Sequence, residues 1–307
     1  MPNCCSSTRC GPISTKPRWA RRSRRSASAS AASAGCEPPV RDPAKPRQPS
    51  ELVLRVVTGL ALITVALVAV ILGGIVFWAL LTVIALAMMA EWADLFDTPS
   101  WPKRLALYAL FVPLAIMTPG VAAGPGFLAL GLIFAAFFFV GAVTRRAWLA
   151  WGVVYVGVPV LALLLIRQEN TVRLGHIGLL YTIWTLALVW STDIGAYFAG
   201  RFIGGPKLAP RVSPNKTWAG LIGGMAAATL FAFFLHGFAG LPLLLALTTP
   251  VLATLAQGGD LFESWLKRRA GKKDSGNLLP GHGGVLDRLD GLVPVAPVAA
   301  LLVLLVR

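Results

Sequence analysis

From Leu52 to the end of the chain the sequence is a succession of apolar runs, most of them long enough to cross a bilayer. Backbone inside hydrocarbon must satisfy its own N–H and C=O groups, and an open segment does so only as an α-helix. That restricts the fold class to all-α, a polytopic integral membrane protein with about nine transmembrane helices. The expected spans are 52–72, 75–91, 104–122, 126–143, 147–166, 177–199, 218–237, 240–257 and 292–306. Two of them, 75–91 and 292–306, are short, and are expected to tilt little or to lie partly at the interface. Composition agrees: charged residues make up 13% of the 307, against about 25% in a soluble domain.

The formal charge is +15, and residues 1–50 carry ten Lys/Arg against Glu37 and Asp42, so more than half of it lies in this segment. Rich in Ser, Ala, Arg and Pro, residues 1–50 have no means of burying a core and are expected to be a basic, disordered tail ahead of a transmembrane catalytic domain, 51–307. Arg21-Arg22 and Arg24-Arg25 before a Ser/Ala run are loosely transit-peptide-like, while a dispensable tail or a start codon read too early explains them equally. A secretory signal fits poorly, because no apolar region follows before Leu52. In a chain with this many spans, basic charge serves anionic lipid and orientation, and no nucleic-acid partner is expected. All four cysteines lie in the tail without metal-type spacing, so the body needs no thiolate chemistry.

Lys and Arg also set the orientation. Arg55, Lys103-Arg104, Arg145-Arg146 and the loops 200–217 and 258–290 alternate onto one side, expected to be cytoplasmic; Arg167 and Arg173 are the exception on the other. The Gly200/Gly204 and Gly220/Gly224 pairs read as close packing or turns and give no dimer argument. His176 and His236 lack partners at ligand spacing and read as structural.

Three polar constellations interrupt the apolar pattern. Asp193 stands well inside a span, where a carboxylate costs about 2.5–3.5 kcal/mol on insertion scales; it is either functional or paired with Arg201 or Lys216. The segment Lys207–Gly220 carries Ser213-Pro214-Asn215-Lys216-Thr217, whose hydroxyls and ammonium suit phosphate oxygens. Asp260 and Glu263 share a helical face and lead into Ser264–Asp290, which holds six Lys/Arg, three Asp and His282 among glycines. Basic groups for phosphates, carboxylates for a hard cation and glycines for close approach together describe a phosphate site carrying a metal. No P-loop, HExxH or GxSxG is present, and Leu292-Val293-Pro294 denies the alcohol-phosphotransferase motif that Asp290-Gly291 could open.

Ser264, Lys267-Arg268, Lys273-Asp274, His282-Gly283-Gly284 and Asp287-Arg288-Leu289-Asp290 stand in the order and spacing of one known motif. The stretch resembles the defining motif of the phosphatidate cytidylyltransferases, also called CDP-diglyceride synthases. The segment around Asp193 and Ser213-Pro214-Asn215-Lys216-Thr217 is similar to further elements of that family. One departure is Ala219, where the family usually has Glu after the Trp. The resemblance implies condensation of CTP with phosphatidate, giving CDP-diacylglycerol and pyrophosphate. Asp260 and Asp287 would then hold a divalent cation such as Mg²⁺, with Asp193 and Asp290 as further ligands. Lys267, Lys273, Arg268, Arg288 and Lys216 would hold phosphate oxygens, and Ser213, Asn215, Thr217 and Ser264 would line the substrate site. His282 would position a phosphate or a metal ligand. CTP, phosphatidate and membrane lipid are the expected partners, a homodimer is left open, and the expected location is a bacterial inner membrane with the site in the cytoplasm. The rivals are an ion-coupled transporter using Asp193 and a membrane-anchored binder of anionic lipid.

Overall fold

Long helices occupy every apolar run. The computed structural model describes residues 51–168, 177–272, 274–276 and 283–306, with side chains from residue 59 onward. The helices are α1 (Glu51–Leu72), α2 (Gly74–Leu95), α3 (Ser100–Ile116), α4 (Phe127–Thr144), α5 (Ala147–Gln168), α6 (Ile177–Phe202), α7 (Trp218–Ala239), α8 (Leu243–Arg269), the single turn α9 (Leu286–Leu289) and α10 (Leu292–Val306). Between α6 and α7 lies a small antiparallel hairpin, β1 (Lys207–Ala209) and β2 (Ser213–Thr217), pairing Lys207 with Thr217 and Ala209 with Ser213. Five helices, α2 and α4 through α7, are long and apolar enough to cross a membrane by length and composition. The tail, Arg173, His176, Lys273 and His282 lie outside the described residues.

Breaks fall where the backbone leaves helical geometry. Gly73, at φ 63°, separates α1 from α2, and Gly240, at φ 74°, closes α7. Gly73 has a second constraint: a Cβ there would stand 2.6 Å from the Arg167 guanidinium. Arg167 uses that space to donate to the carbonyls of Val70 (2.8 Å) and Ile71 (3.0 Å), the orphan acceptors at the end of α1. The arginine that broke the charge asymmetry therefore caps a helix.

Two expectations about loops are corrected. Residues 258–290 are not one loop, because α8 runs on without a break from Leu243 to Arg269. Its Gly258-Gly259 pair permits contact: a Cβ on Gly259 would come within 2.7 Å of Pro294 on α10 and collide with the Asp290 carbonyl. Likewise 200–217 is the end of α6 followed by the hairpin. Small residues also bring α6 and α7 together; a Cβ on Gly195 would sit 2.7 Å from the Gly223 carbonyl oxygen, and one on Gly224 2.7 Å from that of Thr192. The glycine spacing in this region thus serves packing within one chain. His236 is structural as expected, its Nδ1 lying 2.6 Å from the Leu241 carbonyl oxygen.

The most enclosed helix is α5, with residues from Leu149 to Ile166 buried against α2, α4 and α10. Trp92 and Trp184, both almost wholly buried, each donate an indole N–H, to the Trp148 carbonyl (2.8 Å) and to Thr249 Oγ1 (3.1 Å). Large apolar side chains such as Phe127, Leu230 and Phe238 point outward, as a bilayer permits and water discourages. One end of the bundle gathers the C-termini of α2, α6 and α8 with the N-termini of α7 and α10. The polar residues collect there.

Candidate active site

At that end, α6, β2, α7 and α8 enclose a cavity of about 660 Å³. Asp193, Tyr197 and Arg201 line it from α6, Asn215, Lys216 and Thr217 from β2, and Gln257 and Asp260 from α8. Lys216 Nζ lies 2.6 Å from Asp260 Oδ2 and donates more weakly to the Gln257 carbonyl (3.4 Å). Gln257 in turn donates its side-chain N–H to Asp193 Oδ1 at 3.4 Å. Ser264, one turn on from Asp260, donates to Asp260 Oδ1 at 3.3 Å. Thr217 caps α7 by accepting the Gly220 N–H at 3.0 Å, so its hydroxyl oxygen is committed to the helix although the residue lines the cavity. Arg201 donates to the Tyr197 hydroxyl (2.9 Å). The structural pairing considered for Asp193 therefore runs through Gln257.

Asp290 belongs with this cavity electrostatically. Burial pushes its carboxyl well above the usual range, and the charges of Asp260 and Asp193 push it further; the Gly291 N–H and Lys216 act in the opposite sense. Carboxylates from three places in the sequence thus crowd one another near a single lysine.

A second cluster stands beside the first. Lys267 pairs with Asp287 Oδ1 at 2.7 Å and with Glu263 Oε1 at 3.3 Å, all three at most 15% exposed. Asp287 also accepts the backbone N–H of Ser275 (3.1 Å) and of Gly284 (3.2 Å). Burial raises the Asp287 carboxyl, but its hydrogen bonds with Glu263 and Lys267, the Lys267 charge and the Ser275 amide outweigh that and hold it at about 2. Underneath lies Glu91 of α2, 2% exposed. Its carboxylate accepts the N–H groups of Val285 (3.0 Å) and Leu286 (2.8 Å), fixing the turn that carries Asp287, Arg288 and Asp290. Gly276 and Gly284 allow this, since a Cβ on either would come within 3 Å of the Glu91 carboxylate oxygens.

The sequence matches the cytidylyltransferase family over residues 53–306. The chain belongs to this family. A phosphatidate cytidylyltransferase of Brucella suis biovar 1 (strain 1330) is 43% identical over 255 residues, covering 80% of this chain and 91% of the relative. That of Rickettsia bellii (strain RML369-C) is 32% identical over 264 residues, 83% and 92% of the two chains. The Bacillus subtilis (strain 168) protein of the same name reaches 47% over 128 residues, 41% of this chain and 48% of its own.

In this cytidylyltransferase, Asp193, Asn215, Lys216, Thr217 and Asp260 line one cavity, with Ser264 and Asp290 adjoining it. The Asp260–Asp287 pair expected to share a cation divides between the two clusters instead, because Asp287 spends both oxygens on Lys267 and backbone amides. Lys267, expected to hold phosphate, faces two carboxylates. Ser213 closes the hairpin opposite Ala209 and does not line the cavity. Arg268 is exposed on the last turn of α8, and Arg288 is exposed at a different, apolar cavity. Glu91 was missed. Its sequence signal was the first carboxylate at the end of an apolar run, ahead of Asp94 and Asp97.

Among the described residues no three His, Cys, Asp or Glu side chains stand at metal-holding spacing. The donors present nonetheless suit Mg²⁺, which takes one or two carboxylates and completes its shell with water and substrate phosphates. The mutual repulsion of Asp193, Asp260 and Asp290 is what a bound divalent cation would relieve.

Proposed function

We propose that this cytidylyltransferase condenses CTP with phosphatidate to give CDP-diacylglycerol and pyrophosphate, with the α6–β2–α8 cavity as the reaction site. The single observation that carries the reading is the meeting of Lys216, Asp260 and Asp193 in one cavity at the end of apolar helices. A triphosphate fits that mixture of charge, and a lipid phosphate reaches it from the bilayer. The sequence identity to phosphatidate cytidylyltransferases supplies the nucleotide and the head group.

The nucleophile is a phosphate oxygen of phosphatidate. A phosphate monoester has its second pKa near ~6, so this oxygen is largely ionised at neutral pH and no general base is needed. It forms a bond to the α-phosphorus of CTP while the bond to the β-phosphate oxygen breaks, and the electron pair leaves with pyrophosphate. The chain's own task is to position two anions and offset their repulsion. Lys216 exchanges its bond with Asp260 for phosphate oxygens, and Asn215 and Gln257 supply amide donors beside it. Mg²⁺ held by Asp260 and Asp193, beside the buried Asp290, would supply charge neutralisation at the phosphates. Lys267, Asp287 and Glu91 hold the 283–291 turn against α2 and α8, which keeps Asp290 within electrostatic reach of Asp260 and Asp193.

The finer topology is part of the same proposal. All nine long helices cross the membrane, and the excess of Lys and Arg places the cavity end in the cytoplasm of a bacterial inner membrane.

Purified protein with CTP, phosphatidate and Mg²⁺ is expected to form CDP-diacylglycerol and one pyrophosphate per product, and to stop when the cation is chelated. An ion-coupled transporter would release no pyrophosphate, and a lipid-binding protein would retain phosphatidate without consuming CTP. Either result from folded protein would end the proposal.

A further inference from the structure

The cavity at Arg288 has no part in the chemistry above. It is a narrow apolar groove between α1, α2, α5, α6 and α10, with a volume of about 120 Å³. Ala66 lines it from α1, Phe77 and Met88 from α2, Val160 from α5 and Trp190 from α6, and the one charged residue on its wall is Arg288. Resting on the reading of this chain as a phosphatidate-using enzyme, we propose that this groove holds one acyl chain of the phosphatidate, with the head group at Arg288.

Polarity fixes which way the chain lies. Arg288 sits on α9, whose first amides are held by Glu91, one turn beyond Met88. Met88 therefore marks the head-group end, and Phe77 the deep end. The helical rise of 1.5 Å per residue makes the distance between them about 16 Å, a length that suits most of a long acyl chain and would be wasted on a small solute. The walls are almost wholly apolar, which excludes a nucleotide. A guanidinium at the mouth complements a phosphate monoester and would repel a cationic head group.

Position relative to the reaction site is the second argument. Trp190 on the groove and Asp193 in the reaction cavity are three residues apart on α6, hence neighbours about one turn apart along it. Arg288 stands two residues before Asp290, whose carboxyl feels the charges of Asp260 and Asp193, and the backbone just beyond packs tightly on α6, since a Cβ on Gly291 would stand 3.1 Å from Val189. A phosphate at Arg288 thus lies at the border of the cavity that holds Lys216 and Asp260. The lipid chain lies on one side of that border and CTP on the other.

The test compares kcat/KM for dioleoyl and dihexanoyl phosphatidate in wild type, Ala66→Phe, Val160→Phe and Leu230→Phe. Filling the groove displaces about two methylenes' worth of burial, roughly 1.6 kcal/mol or on the order of tenfold in the long-to-short ratio. That ratio is expected to fall about tenfold in Ala66→Phe and Val160→Phe, and to keep its wild-type value in Leu230→Phe, whose site is on the outer face of α7. An unchanged ratio in folded groove variants means the groove carries a bystander lipid or nothing, and overturns the proposal. Absence of turnover with both substrates in wild type would instead overturn the enzyme reading. Should the variants fail to fold, wild-type protein decides. Phosphatidate with a diazirine near the methyl end of one chain is expected to label α2 or α5, and labelling confined to the outer faces of α4 and α7 refutes the groove.

Discussion

Glu91→Ala is the substitution whose consequences can be worked furthest. It removes the acceptor of the Val285 and Leu286 amides and puts nothing in its place, at a site where the parent side chain is 2% exposed. Each buried donor left unsatisfied costs about 1–3 kcal/mol, so the turn at 283–291 loses about 2–6 kcal/mol of local stability. At 1.4 kcal/mol per factor of ten, hydrogen-exchange protection of these two amides falls about thirtyfold or more. The nine long helices do not depend on this contact and keep their protection. Turnover falls with the turn, because Asp290 and Arg288 ride on it. Glu91→Gln keeps one acceptor oxygen and is expected to fall between wild type and Ala. The measurement is exchange mass spectrometry over 283–291 alongside kcat. Wild-type protection and wild-type kcat in Glu91→Ala would refute the reasoning.

Asp260→Asn and Asp193→Asn are each expected to lower kcat by about a hundredfold or more without loss of purified, folded protein, in the pyrophosphate-release assay. Lys267→Met leaves the Asp287 carboxylate buried without its cation, at a cost of about 3–5 kcal/mol, read as a drop in the unfolding temperature in detergent. The Asp287 carboxyl sits at about 2 in the fold against 3.8 ordinarily. Its contribution is therefore complete above about pH 4 and lost as pH falls through about 2, a loss that Lys267→Met should blunt in an acid titration. Gly223→Ala drives a methyl into Ala199 on α6 and is expected to cost about 1–3 kcal/mol by the same thermal measurement.

The helices could be read in the sequence because bilayer-length apolar runs leave backbone no other solution, and the expected and observed helices coincide apart from their ends. α8 shows where that reading stops. Hydropathy falls at Gln257, but the hydrogen-bond ladder continues to Arg269, because polar residues extend a helix as readily as apolar ones once they face a cavity or partner. The resemblance pointed to Asp193, Asn215, Lys216, Thr217 and Asp260, and these line one cavity; what it could not give was their pairing. Lys267 and Lys216 are both lysines in motif positions, yet one is held by two carboxylates and the other fronts a cavity. That difference depends on partners 20 and 44 residues away. Glu91 is the extreme case: its partners are backbone amides about 195 residues on, and a backbone N–H leaves no mark in the side-chain sequence.

The central claim is that phosphatidate displaces pyrophosphate directly in the α6–β2–α8 cavity, with no protein side chain forming a bond to phosphorus. The stereochemical course at the α-phosphorus tests it. CTP carrying a single sulfur at that phosphorus, in one configuration, is incubated with phosphatidate and purified protein, and the configuration of the thio-CDP-diacylglycerol is determined. One in-line displacement inverts the centre, and inversion is the predicted result. Retention would require two displacements through a covalent nucleotidyl-protein, and would contradict the account.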